Sequence, residues 1–425
     1  MQKSGKYFFS ILFFLLCGAS LFSQETVDHK AISIGNVKLF YGDAILNDDG
    51  SLYLTGWSSV NEIGNNQLAP YGQDDIWLVK LKKDYTVDWK KSFGGRSDER
   101  LSTIIKSSDG GLFLGCTSDS QMSGNKRSIV YGKTDVWLLK LSESGEIEWQ
   151  KTYGSKENDG LQCMVLQNDG SLVMGANTEG FPSGVRTESV TGELDFWSIC
   201  VDTIGNLKWE KTIGDDNVNL FSDIESDING NIFLVGYSIS PFDSVLNEDK
   251  NNFLLVKLDS KGNVLWEKSI PGGPYNGSCE IAITNSSFYV ACNSTYDLTK
   301  NETVDHIDFR LMKFDLNGTI MWDKLIGGAK EEQLRNLIVS GNNGILIGGF
   351  SNSPRGGMKT ENARTTSDFW LVALDSNGVS KWDKTIVSRE EQYLKSIFKI
   401  SDDSYLCAGT SGSGLSVVRV NYKRI

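Results

Sequence analysis

Carboxylates are the side chains of this sequence best placed to do chemistry. After a Trp-bearing segment, five repeats set acids close together: Asp98 and Glu99, Glu157 and Asp159, Asp215 and Asp216, Glu331 and Glu332, Glu390 and Glu391. Acids recurring at one level of a ring would line one mouth of its channel. Asp98, Glu99, Asp159, Asp216, Glu331, Glu332, Glu390 and Glu391 could then offer Ca²⁺ some of the roughly six to eight oxygens it takes. A pair could equally serve glycoside cleavage. A solvated acidic rim that only aids solubility is the simpler expectation, and no catalytic residue or organic cofactor is assigned.

Other reactive groups are scarce. The two histidines, His29 and His306, occupy unlike places, which argues against a Ser-His-Asp triad or a His-based zinc site. Cys116 and Cys292 share a column with Gly56, Ala176, Gly236, Gly349 and Gly409. That column takes only small residues, through crowding either near a central axis or between packed units. Cys163 and Cys279 share another column with Asp43, Thr103, Asp223, Asn336 and Ser396. Equivalent positions in non-adjacent repeats are too far apart to bridge, so buried free thiols are expected. The basic column Lys80, Lys140, Lys257, Lys313 and Arg419 reads as stems covering unit edges. The Asp column Asp75, Asp135, Asp195, Asp308 and Asp368 reads as turn caps.

The elements that must position these groups repeat seven times. DIWLVKL (75–81), DVWLLKL (135–141), DFWSICV (195–201), NFLLVKL (252–258), DFRLMKF (308–314), DFWLVAL (368–374) and GLSVVRV (414–420) recur about every 60 residues, and a Trp follows each of the first six. A period of this size means one supersecondary unit repeated. Each unit reads as four short strands, with Asp-Gly or Asn-Gly hairpin turns such as Asp109-Gly110 and Asn229-Gly230. The DxWLxKL strand is apolar at nearly every position, as a strand covered on both faces must be. The fold expected is all-β: a seven-bladed β-propeller of four-stranded antiparallel blades. Its repeats are set at about 30–88, 89–148, 149–208, 209–265, 266–321, 322–381 and 382–425, in one domain spanning 24–425.

Residues 1–23 read as a secretory signal: Lys3 and Lys6, an apolar run from Tyr7 to Leu16, then small residues. Lipoprotein processing at Cys17 is the weaker alternative. The expected location is extracytoplasmic, and no later segment is apolar enough to span a bilayer. The net charge of −12 argues against a nucleic-acid partner.

The unit W-x-K-T-x-G-G … S-D-G-G-x-x-x-x-G-x-S … D-F-W-L-V-K-L-D-S-x-G-x-x-x-W resembles a group of secreted propeller-repeat proteins common in Bacteroidota. Members often end in a domain that addresses them to type IX secretion. This sequence ends at Ile425 on a propeller strand without one. The resemblance implies the architecture and no single activity. LDSKGNVLW (258–266) and LDSNGVSKW (374–382) also look like repeats of quinoprotein propellers and the related outer-membrane assembly scaffold. A hairpin turn with a packing Trp explains them without a cofactor.

Repeats differ most in the polar loops 59–74, 119–134, 179–194, 239–251, 296–307 and 352–367, which should emerge on one face. Tyr71, Arg127, Tyr131, Phe181, Arg186, Arg355 and Arg364 lie there, suited to a glycan or protein. The resulting expectation is a monomeric, non-catalytic binding or scaffold module. The alternatives are a carbohydrate-active enzyme using channel carboxylates, or a quinoprotein-like or envelope-assembly propeller.

Overall fold

The computed structural model describes residues 24–32, 40–59, 71–240, 251–272, 276–297, 302–411 and 414–423. The expected signal segment lies outside them. The described residues form 28 strands and one 3₁₀ turn at Gly341–Asn343. The strands pair into seven four-stranded antiparallel blades, with blades 3 and 4 also joined by a single parallel bridge from Leu194 to Val218. The innermost strands are Phe40–Leu46, Glu99–Lys106, Asp159–Leu166, Val218–Ser226, Asn276–Ile283, Glu332–Val339 and Gln392–Ser401. Each packs on the next, and the last returns to the first.

Blade 2 shows how the sequence dictates the unit. Glu99–Lys106 turns at Asp109-Gly110 into Leu112–Ser118. Gly110 has φ +88°, a left-handed conformation that costs glycine little. A long loop leads to Asp135–Leu141, which is buried at every position, and a tight turn leads to the outer strand Ile147–Tyr153. Trp149 sits on that outer strand, opposite Lys140. A sheet-bounded blade therefore ends with the Trp strand, and each sequence repeat joins the outer strand of one blade to three strands of the next.

Continuous burial has a simple cause. Seven apolar clusters fill the seven interfaces between neighbouring blades. Within Asp74–Leu81, Ile76 and Leu78 face blade 2, whereas Trp77, Val79 and Leu81 face blade 7. The small-residue column belongs to this packing and not to the central axis. A Cβ on Gly236 would stand 2.6 Å from Phe196 Cζ of the preceding blade and 2.2 Å from Leu220 O. Gly409 would meet Phe369 Cζ at 2.9 Å and Tyr393 O at 2.2 Å.

The basic column is equally occupied by structure. Lys257 Nζ lies 4.7 Å from the Phe233 ring centre and donates to Leu316 O of the next blade. Lys140 Nζ lies over Phe113 and between Asp109 and Glu148. Such cation–π contacts are favourable because the ring face is negative.

The ring closes by strand exchange. Blade 7 takes three strands from the C-terminal part, and its outer strand is Gln24–Ile32, running from Gln24 opposite Lys423 to Ile32 opposite Leu415. That strand carries Asp28 opposite Arg419, where the other six blades set a Trp, opposite Lys in four of them. At four other junctions the tight-turn glycine of the following blade sits against that Trp: a Cβ on Gly145 would come within 2.7 Å of Trp89. At the seam the same turn holds Tyr85 at φ 63°, and its ring joins the apolar cluster between blades 7 and 1.

All six described cysteines are free. The column assigned to Cys279 needs correction. Cys279 pairs with Cys292, and Glu280 pairs with Ala291, so Glu280 holds the place that Asp223 takes opposite Val235. The inner strand of blade 5 bulges one residue early, and this moves the register by one.

Candidate functional site

The irregular loops and the connections into the inner strands share one face, because they interlock. Asn125 N donates to Gly94 O, Val185 N to Gly154 O and Met358 N to Gly327 O. Beneath them lies a buried lattice of charge. Asp75, Asp135, Asp195 and Asp368 cap the loop ends, accepting from the backbone N–H of Tyr71, Tyr131, Thr191 and Arg364 at 2.5–2.7 Å. Burial raises Asp75 and Asp135 each to about 6.

Three candidate rim acids belong to this lattice. Glu99, Asp159 and Glu332 are wholly buried. Glu99 accepts from Gly95 N at 2.9 Å and Ser118 Oγ at 2.6 Å. Glu332 accepts from Gly328 N and Ser351 Oγ, and Asp159 from Ser155 N and Thr178 Oγ1. Their short side chains turn back to satisfy the connection's own N–H groups, so they do not converge on a channel mouth. Buried Lys126 and Lys359 sit near Glu99 and Glu332, each over a tryptophan. Burial lowers Lys126 and takes Lys359 to about 8.

The remaining rim acids stay outside this lattice. Asp98 pairs with Arg100 at 3.0 Å. Asp216, Glu331, Glu390 and Glu391 are exposed. Among the described residues no three His, Cys, Asp or Glu side chains come together to hold a metal ion. His306 Nε2 lies 3.6 Å from Asp308 Oδ2, and His29 occupies the closing strand opposite Val418.

Among the exposed large hydrophobic side chains described, Phe181 is the most open, at 83 %. Tyr71, Arg127, Arg355 and Arg364 are also exposed, and Tyr131 is half-buried. Arg186 behaves differently. It is buried, and its guanidinium donates to the carbonyls of Glu179, Phe181 and Glu188 at 2.7–3.1 Å. Its place is inside the loop as a clamp, because a planar fork can satisfy several carbonyls of one tight loop at once.

A central cavity is the feature that sequence reasoning does not reach. Every inner strand bulges by about one residue at the same level, and bulges re-aim side chains. They surround a central cavity of about 500 Å³ whose lining includes Asp43, Asp223, Glu225, Glu280, Arg335 and Lys395. Two of these acids, and an asparagine at the same level, are built in. Asp43 Oδ2 accepts from Ile104 N of blade 2, Asp223 Oδ2 from Ile281 N of blade 5, and Asn336 Oδ1 from Ile397 N of blade 7.

These side chains are surrounded by protein yet keep surface open to the cavity. Enclosure raises Asp223 and Glu225 each to about 7, with Asp43 adding repulsion on Asp223 and Asp223 on Glu225. It also raises Asp43 and Glu280 and lowers Lys395, which Arg335 repels as well. The column that holds Cys163 carries the signal: it contains Asp43 and Asp223, and the register in blade 5 conceals Glu280.

No family model matches this chain, and no curated protein sequence matches it. Solved structures do. A PL25 polysaccharide lyase, ulvan lyase, bound to -[GlcA(1-4)Rha3S]- aligns with TM-score 0.56 at 11 % identity, covering 92 % of this chain and 95 % of that one. A second structure of the same kind of lyase aligns at 0.54 and 10 % identity, covering 90 % and 94 %. BBS1N in complex with ARL6DN aligns at 0.49 and 8 %, covering 95 % and 97 %. At such identities the likeness to the two lyases is one of fold, and the fold is that of a propeller. No helix among the described residues is long and apolar enough to cross a membrane.

Proposed function

We propose that this chain is an extracytoplasmic, non-catalytic binding module whose loop face takes a glycan or protein partner. The observation that carries the reading is Phe181, 83 % exposed at the tip of a loop held from within by Arg186. An aromatic ring on a rigid support offers contact area with little ordering cost on binding. The recurrent charges, by contrast, are consumed by caps, clamps and cation–π contacts, leaving the non-repeating loop residues to set specificity. Phe181→Ala should weaken a partner found by glycan array, or by capture from envelope extract, about tenfold or more, with an unchanged melting curve. Unchanged affinity for every partner so found would refute the reading.

The cavity carboxylates support a second reading, a carbohydrate-active enzyme. Acids near neutral pKa in an accessible site suit proton transfer. Release of product from any polysaccharide, abolished by Asp223→Asn but not by Phe181→Ala, would favour it over the first.

A further inference from the structure

We propose that the central cavity binds a small zwitterion, a molecule bearing a protonated amine and an anionic group, with the amine against Asp223 and Glu225 and the anion against Arg335 and Lys395. This site is separate from the loop face and does not rest on the reading above.

The charges are arranged in two walls. Asp223 and Glu225 project from one strand, the inner strand of blade 4. Arg335 and Lys395 are the bulged residues of blades 6 and 7; in a seven-membered ring, blade 7 lies across the channel from blade 4. Lys395 acts on Asp43 and Glu280, and Arg335 acts on Glu280. Among the described residues, the charges that act on Asp223 and Glu225 are other carboxylates. Glu280, enclosed by the inner strands and lining the same cavity, accepts no hydrogen bond from the described residues. The acidic wall is therefore hydrogen-bonded in part but faces no ion-pair partner among the described residues.

Packing does not ask for it. The positions equivalent to Glu225 in the other six blades, by register, are Ile45, Ile105, Val165, Ala282, Ile338 and Phe398. One carboxylate in an otherwise apolar ring costs stability, and such exceptions to a structural pattern cluster at binding sites. Both signs are needed to explain the lining. A simple cation would meet Arg335 and Lys395, and a simple anion would meet four carboxylates. A molecule with both charges satisfies both walls. The cavity volume of about 500 Å³ falls within the range of small-ligand sites.

The test is calorimetry at pH 8 with a series of unbranched ω-amino acids of three to eight carbons, against the n-alkylamines and n-alkanoates of matching length. At least one ω-amino acid should bind about tenfold or more tightly than either single-charge analogue, the effect of one charge-assisted contact. Glu225→Gln and Arg335→Ala should each remove about that factor, and Phe181→Ala should leave it untouched. Absence of heat with every ω-amino acid at ten millimolar would overturn the proposal. So would amine binding equal to the zwitterion's, or undiminished affinity in Glu225→Gln with its fold intact by melting.

Discussion

Replacing Glu225 by Gln should stabilise this protein at alkaline pH and do nothing at acidic pH. Enclosure and the neighbouring Asp223 raise the Glu225 carboxyl from 4.5 to about 7 in the folded chain. Between those values the native state holds a proton that the unfolded chain has released, so stability falls as pH rises through this window. The cost is absent below about pH 4.5 and complete above about pH 7. A rise of that size corresponds to ~3 kcal/mol for a group sealed from solvent. Contact with cavity water reduces it to about 1–2 kcal/mol. Gln keeps the shape and can accept the weak bond from Ser226 N at 3.3 Å, so little else changes. With an unfolding entropy of roughly 2 cal/mol/K per residue, the variant should melt about 1–2 °C above the parent at pH 8.5. The two should coincide at pH 4.5. Differential scanning calorimetry at both values measures this. A variant less stable at pH 8.5, or equally stabilised at both pH values, would show that the carboxylate is not strained by its surroundings.

Other perturbations separate the parts of the frame. Gly154→Ala would place a Cβ 1.8 Å from Asp135 Oδ1 and should cost more than about 3 kcal/mol in urea unfolding. Gly110→Ala, at φ +88° with open space around it, should cost only about 1 kcal/mol. Deleting residues 24–32 leaves Gly414–Lys423 as a bare edge strand, so size-exclusion chromatography should show association or aggregation; a monomer melting like the parent would contradict closure by exchange. The described thiols are buried or enclosed, with Cys200 held at about 11 and Cys407 at about 12 by burial. Ellman's reagent at pH 8 should therefore find fewer than about one thiol in the native protein and all six of these in guanidinium.

The repeat was legible because its causes are local. Asp-Gly turns, a Trp behind six of the seven apolar strands and small residues at a fixed offset are each required by a contact within a blade or with its neighbour, and each such contact recurs. The capping aspartates could be assigned for the same reason, since a side chain bonding a nearby N–H leaves its mark in spacing. Spacing could not say which way a side chain faces in the assembled ring. Glu99, Asp159 and Glu332 occupy one level in sequence, but the connection's own N–H groups turn them inward, and Arg186 is drawn under its loop by carbonyls that only the folded loop presents. A one-residue bulge in blade 5 exchanges Cys279 for Glu280 at the channel, and no periodicity reveals it. The cavity depends on strands far apart in sequence meeting round an axis, where solvent is scarce and like charges are brought close. Sequence thus determined the blade and the number of blades; tertiary closure decided which of the many acids would face one another.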